Sequence, residues 1–379
     1  MTFLSAHLNT EPTWRGGEQQ TLYLLQGLRR RGYPVVLLAT PGTPLHDRAR
    51  GEGIDTYDLI IRSDADVLAM LHLSRLLKKL RPAVVHMHTS HAHPIGVCAT
   101  LLSGCKAKRI VSRRVDFSIY RHSFLGLNWI KYRWGVDCYI AVSSRVRDVL
   151  VDDGLDPERI RVVHSGVDPE RFRGARLDRR SELLEEWRLP EGLPIVGAVG
   201  ALVPHKGFKF LVDAAAEVLK HRDCAFVIVG EGELREELSW RARERQVDNR
   251  VRFVGFRSDI GDILYALDVY VSSSVEEGLG SALLDALLLQ RPAVATRAGG
   301  SPEIIRHRSN GLLVEPGSGP ALAAAIEHLL SNPEESQQLA AEGHRTVLES
   351  FSVDAMVEQT LQSYHELLGN RARTFSSHL

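Results

Sequence analysis

Three carboxylates surround one turn in 274-SVEEGLGSALLDALLLQ-290: Glu276, Glu277 and Asp285. The turn is built from glycine and small residues, and a leucine-rich run that reads as a helix follows it. The apolar run before it, 267-LDVYVSSS-274, reads as a buried strand. Glycine lets backbone N–H groups come close to a ligand. The helix after the turn points its positive end at the same place, which favours an anion such as phosphate. Ser281 is expected to cap that helix. Asp285 lies on the same face, one turn deeper. Carboxylates do not bind phosphate, so Glu277 and Asp285 need other partners. Sugar hydroxyls fit, because a vicinal diol donates two hydrogen bonds and a carboxylate accepts two. The segment suits a ligand with phosphate in the middle and a sugar on each side. The plain alternative is a solvated, charged turn with Asp285 on an exposed helix face.

Two other segments have related chemistry. In 196-VGAVGALVPHKGFKFLVDAAAEV-218 a strand runs through a loop into an amphipathic helix, with Lys206 at its mouth. An ammonium there can hold a phosphate as a point charge. In 14-WRGGEQQTLYLL-25 the pair Gly16 and Gly17 precedes a helix at the first β-to-α turn, again an anion-binding geometry. A surface lysine and a tight turn are the corresponding plain readings.

The elements that must position these residues alternate along nearly the whole chain. Strands are expected at 2-TFLSA, 35-VVLLAT, 54-IDTYD, 83-AVVHMH, 109-RIVS, 137-DCYIAVS and 160-IRVVH. Further strands are expected at 194-PIVGAVG, 225-AFVIVG, 251-VRFVG, 268-DVYVSSS, 292-PAVAT and 311-GLLV. Helical patterns separate them, as in 18-EQQTLYLLQGLRRRG, with Gly32 at the stop, and 66-DVLAMLHLSRLLKKLRP, ending before Pro82. Such alternation means β-α-β units and parallel sheets. A chain of 379 residues favours two domains. The polar stretch 164-HSGVDPERFRGARLDRRS-181 marks their junction. The reading is α/β: two Rossmann-like, doubly wound domains facing a cleft. They span 1–168 and 169–352, and the amphipathic helix of 353–379 returns to the first.

Composition excludes some classes. Lys+Arg and Asp+Glu are both 47, so bulk charge gives no argument for nucleic acid. Cys98, Cys105, Cys138 and Cys224 form no C-x-x-C pair and read as small core residues in a reducing compartment, without zinc. The N-terminus has no basic, apolar signal pattern, and no apolar run approaches a membrane span. A cytoplasmic protein is expected.

Taken together, the segments resemble the retaining nucleotide-sugar glycosyltransferases of family four, with the GT-B fold. The matching residues are R-G-G-E at 15–18, D-P-E-R-F at 168–172, K-G at 206–207 and V-G-E-G at 229–232. They continue with V-R-F-V-G-F at 251–256, E-G-L-G at 277–280, A-G-G-S-P-E at 298–303 and N-G-L-L-V at 310–314. The resemblance implies that Glu277 holds the donor sugar and that amides of Gly278, Leu279 and Gly280 meet the sugar and diphosphate, beside Ser281. It implies ribose contacts at Asp285, diphosphate neutralisation by Lys206, and a donor contact at Gly230. Val254, Gly255 and Phe256 would line the nucleobase, and Gly16 and Gly17 would approach the phosphates from the opposite domain. There are three departures. Asp285 stands where the family usually has a second Glu, Ala201 where it often has Arg, and Arg113 and Arg114 where many relatives have a His.

Four of the sixteen histidines fall in 86-HMHTSHAHPIG-96. Acceptor binding or a place near the reacting centre is preferred to metal binding there, with His88 and His91 as the chosen residues. The segment 109–134 mixes Arg113, Arg114 and Arg121 with Tyr120, Phe124, Trp129 and Trp134. It suits a phosphorylated, lipid-linked acceptor or peripheral contact with the cytoplasmic face of the inner membrane, unless the aromatics are core. The expected activity is sugar transfer with retention from a UDP- or GDP-type nucleotide sugar to a glycan or lipid-linked acceptor. It needs no cofactor, metal or obligate protein partner, and serves cell-envelope, lipopolysaccharide or glycolipid synthesis. The rivals are a nucleotide-sugar epimerase of similar fold and a non-catalytic nucleotide-sugar-binding subunit.

Overall fold

The computed structural model of the chain describes residues 2–120 and 128–369, the side chains of 128–130 excepted. It divides into two compact units. One comprises the chain up to Gly166 together with the segment from Val353; the other is Val167–Ser352.

The first unit holds β1 (Ser5–Asn9), β2 (Val35–Ala39), β3 (Asp55–Asp58), β4 (Val84–Met87), β5 (Lys108–Arg113), β6 (Cys138–Ala141) and β7 (Ile160–Val162). They form one parallel sheet in the order β3-β2-β1-β4-β5-β6-β7. The second holds β8 (Ile195–Val199), β9 (Ala225–Val229), β10 (Val251–Phe253), β11 (Val269–Ser272), β12 (Ala293–Thr296) and β13 (Leu312–Val314). Their order is β10-β9-β8-β11-β12-β13, also parallel. Central strands such as β2 and β9 are buried at every position, as apolar runs covered by helices on both faces must be.

Each run expected to be a strand forms one. The first is displaced: it begins at Ser5 rather than Thr2 and continues through His7 and Asn9. Its register is set by parallel pairing of Ser5 with Val35 and Val84. Two buried polar residues interrupt the apolar pattern there, so the run appeared to stop early. All four cysteines are free thiols. No described helix is long and apolar enough to cross a membrane.

Both sheets reverse their strand order at one place, between β1 and β4 and between β8 and β11. The loops leaving such a strand pair diverge to opposite faces and open a crevice at the carboxyl ends, where ligands of open α/β sheets bind. Gly16 and Gly17 follow β1, His88 follows β4, Lys206 follows β8 and Glu277 follows β11.

In the first unit the helix Gly16–Arg30 packs on the helix Val353–Leu367, so the end of the chain completes that unit's core. The closest approach is at Gly27, where a Cβ would lie 2.4 Å from Val357 Cγ2. Buried Tyr364 shares a hydrogen bond with His86 Nδ1 at 2.6 Å. Gly27→Leu is therefore expected to overpack this contact, costing about 1–3 kcal/mol. A urea-unfolding midpoint unchanged by the substitution would contradict the packing.

Candidate active site

The second unit's crevice is built by pressing two loops together. Pro204–Lys206 form a short 3₁₀ turn that ends at Gly207 with φ +63°, and a Cβ at Gly207 would lie 2.2 Å from Ser273 O. Only glycine permits that approach. Across it, Val275 N donates to His205 O at 2.8 Å and Ser273 Oγ to Lys206 O at 2.9 Å. Lys206 Nζ thereby reaches Glu277 Oε2 at 2.5 Å, and Ser274 Oγ donates to the same oxygen at 3.0 Å. Burial pushes the Glu277 carboxyl up, but the charge and hydrogen bond of Lys206, with the bond from Ser274, more than offset it. The carboxyl titrates below its usual range.

Two further glycines hold this geometry. Gly299 has φ +52°, and a Cβ there would lie 1.4 Å from Glu277 O; Gly300 N donates to the same carbonyl. Gly230 has φ +136° and lies under Gly200 O, where a Cβ would be 1.9 Å away. Gly230 N also donates to Gly255 O at 2.8 Å, which joins the loops after β8, β9 and β10. Val254 is half-buried beside it, and the Phe256 ring is exposed.

Glu277 leads into the helix Ser281–Leu288. Ser281 does not cap it. Gly280, at φ +106°, holds the cap position, and Ser281 is the first helical residue. No side chain caps this end, so its first N–H groups keep their capacity to meet an anion. Gly278, Leu279 and Gly280 are buried around the turn. Asp285 is 6% exposed, which excludes the solvated-face reading. Its Oδ2 accepts from Arg171 Nη1 at 2.7 Å. Burial raises the Asp285 carboxyl and outweighs the opposing pull of Arg171. Arg171 lies in the 168-DPERF-172 motif, where sequence reasoning gave it no role. His205 acts beside Lys206 to lower the Glu277 carboxyl, and Arg171 stands at the other carboxylate.

The first unit's histidines separate. His86 and His88 turn inward with His7 of β1, and all three are buried. His7 Nδ1 and His88 Nε2 are 3.0 Å apart, and His7 Nε2 and Ser5 Oγ also 3.0 Å. His86 bonds to Tyr364 through Nδ1 and to Ser112 Oγ through Nε2 at 2.8 Å. Burial depresses His7 to about 3 and holds His86 and His88 well below the usual imidazole range. One nitrogen from each of the three lies within 4.8 Å of the others. Those of His7 and His86 are already hydrogen-bonded, and the positive charge of Arg114 acts on His86 and His88. The set fits a neutral hydrogen-bond network better than a cation.

His91 is not brought to His88. It opens the helix Ala92–Ser103, is largely exposed, and pairs through Nδ1 with Asp64 at 2.6 Å, where Lys131 also binds. His93 is fully buried, packed edge-on against Tyr132 at 5.0 Å, and burial lowers it to about 3. Arg113 is committed to the core, donating to Tyr132 Oη and Phe117 O, so it is not offered to an acceptor. Arg114 makes no such bond and lies against Gly17. Arg121 and Phe124 are outside the described residues, as is the Trp129 side chain. Tyr120 and Trp134 are exposed, whereas Tyr132 is core.

Two parallel-sheet units of this kind, each reversing its strand order once, make up the GT-B fold. Anabaena HepE, solved with UDP and glucose, aligns with a TM-score of 0.84 at 19% identity, covering 96% of this chain and 100% of that one. The model described as Glycosyl transferases group 1 matches residues 179–346, and that described as Glycosyltransferase Family 4 matches residues 14–171. EpsD of Bacillus subtilis, named as a glycosyltransferase, is 31% identical over 77% of this chain and 78% of its own length. The lipopolysaccharide core biosynthesis glycosyltransferase LpsE of Rhizobium meliloti is 26% identical over 92% and 95%. The chain belongs to the group 1, family four glycosyltransferases.

Two outcomes follow from these buried charges. Arg171→Ala leaves Asp285 without its cation and is expected to cost about 1.5–3 kcal/mol. A double-mutant cycle with Asp285→Ala that shows no coupling would remove the pair from the account. The buried histidines are neutral when folded but take up protons when unfolded. Stability should therefore fall as pH drops below the unfolded value near 6.5, and keep falling toward 3. At pH 5.5 each contributes a loss of about 1.4 kcal/mol. His93→Phe should remove about that much of the difference between urea unfolding at pH 7.5 and 5.5; an unchanged difference would contradict it.

Proposed function

We propose that this glycosyltransferase moves a sugar, with retention at the anomeric carbon, from a nucleotide-diphosphate sugar to a hydroxyl of a glycan or lipid-linked acceptor in envelope, lipopolysaccharide or glycolipid synthesis. The observation that carries the donor half is Lys206 paired with Glu277 at the mouth of an uncapped helix. In this reading the diphosphate takes over the Lys206 ammonium and meets the first amides of the helix Ser281–Leu288. Glu277, released from Lys206, accepts hydrogen bonds from the donor sugar, and the amides of Gly278, Leu279 and Gly280 line the same turn. The Arg171–Asp285 pair faces the ribose, and the loops of Gly230, Val254 and Phe256 take the base.

As the sugar–phosphate bond breaks, charge builds on the leaving diphosphate. Fixed amides and one ammonium stabilise that charge without reorganising, which is electrostatic catalysis. Positioning the acceptor hydroxyl on the face the diphosphate leaves supplies the rest, and the leaving phosphate takes the hydroxyl proton. No metal is assigned a role in this scheme. The names of LpsE and of other relatives in lipopolysaccharide core and diphosphoundecaprenol-linked glycan synthesis support the acceptor class. A lipid-linked acceptor would bring the protein to the cytoplasmic membrane face as a peripheral visitor.

A thermal-shift panel of nucleotide sugars identifies the donor, since a ligand of the native state raises the melting point. With that donor, Lys206→Ala and Glu277→Ala should each lower turnover at least tenfold, about 1.4 kcal/mol of barrier. Full activity in both variants would refute the site.

A further inference from the structure

The Arg171–Asp285 pair has more hydrogen-bonding capacity than it uses. Asp285 is buried, and the bond from Arg171 Nη1 occupies its Oδ2. Its Oδ1 accepts none among the described residues and is not enclosed, so it reaches solvent. A guanidinium is a planar fork of N–H donors with no acceptor. Arg171 spends Nη1 on Asp285, and its other N–H groups make no hydrogen bond among the described residues. Its side chain keeps 31% of its surface exposed. A free acceptor and a free donor therefore stand side by side.

The fork is held from behind. Asp168 accepts from Glu170 N at 3.0 Å and opens the 3₁₀ turn Pro169–Phe172. Phe172 is buried, and Arg171 Cζ lies over its ring, 4.9 Å from the centroid. The ring is wedged against the helix Ile260–Ala266, where a Cβ at Gly261 would lie 2.8 Å from Phe172 Cδ1. A side chain as long as arginine usually loses much freedom on meeting a ligand, and here part of that cost is met in advance.

The exposed atoms call for a group that both donates and accepts. A phosphate only accepts, and it would set like charge against Oδ1. An ammonium only donates, and it would face the guanidinium. Two adjacent hydroxyls satisfy both sides. We propose that Arg171 is a specificity-determining residue, which with Asp285 reads the donor's ribose as a cis-diol and rejects a 2′-deoxyribose. Asp285 Oδ1 accepts from one hydroxyl, and Arg171 donates to the oxygen of its neighbour. Asp285 is one methylene shorter than the glutamate usual in the family, and the fork beside it supplies the second contact. Loss of one hydroxyl leaves part of the pair unmet, and a site built to hydrogen-bond a hydroxyl discriminates against the analogue lacking it. The inference rests on the donor reading of this crevice.

Calorimetry of the full chain with UDP, GDP and their 2′-deoxy counterparts tests it. The ribonucleotide that binds should do so at least tenfold more tightly than its deoxy form. Arg171→Gln, whose amide can still bond to Asp285, should cut that ratio to less than about threefold. Arg171→Lys keeps a cation beside Asp285 and takes its place if the glutamine variant does not fold. Lys206→Ala should weaken both forms alike and leave the ratio as it was. Equal affinity of the unaltered protein for the two forms, or an equal loss for both in the Arg171 variants, would overturn the inference while the donor reading stands. Binding of neither nucleotide would defeat the donor reading, and this inference with it.

Discussion

A doubly wound parallel sheet opens a crevice at the carboxyl ends of its strands where the strand order reverses, and loop N–H groups and helix ends face a ligand there. Everything assigned to this protein depends on that constraint acting twice. In the second unit the reversal lies between β8 and β11, and in the first between β1 and β4. Fixed peptide dipoles there favour negative charge. Side chains then decide what kind of anion is held and what surrounds it.

At the β8/β11 crevice the side chains form two ion pairs, Lys206 with Glu277 and Arg171 with Asp285. Such largely buried pairs add little net stability, because desolvation consumes much of the attraction. Their value here is geometric. Glu277 keeps the ammonium located, and Gly207, Gly230 and Gly299 let three loops approach to distances no side chain tolerates. In the proposed function a diphosphate would meet donors already in place, with carboxylates on either side left for hydroxyls. The same logic explains why the A-G-G-S segment belongs to the site: its second residue is a glycine at Gly299 because the Glu277 carbonyl occupies the space of a Cβ.

Much of this was legible before the structure. Alternating apolar runs and helical patterns marked every strand, and the glycine turn before the leucine-rich helix Ser281–Leu288 was marked as the candidate donor site. What remained hidden was long-range. The partner of Asp285 is Arg171, and the partner of His88 is His7, pairs whose members lie far apart in sequence. His88 and His91 looked equivalent in one cluster. The strand places His88 inside, beside β1, whereas His91 starts a helix and turns to Asp64. Arg113 and Arg114 are adjacent, yet one is bonded into the aromatic core and the other lies at the helix end. Ser281 had the residue type of a cap, but the left-handed backbone that the turn needs could be taken only by Gly280 ahead of it. Local propensity cannot resolve such choices, because tertiary contacts decide them.

The whole reading turns on where the pyrophosphate sits. A crystal structure with bound UDP or GDP should show its phosphate oxygens within hydrogen-bond distance of Lys206 Nζ and the first amides of the helix Ser281–Leu288, with Glu277 freed from the lysine. A nucleotide bound elsewhere, with the Lys206–Glu277 pair intact, would contradict it.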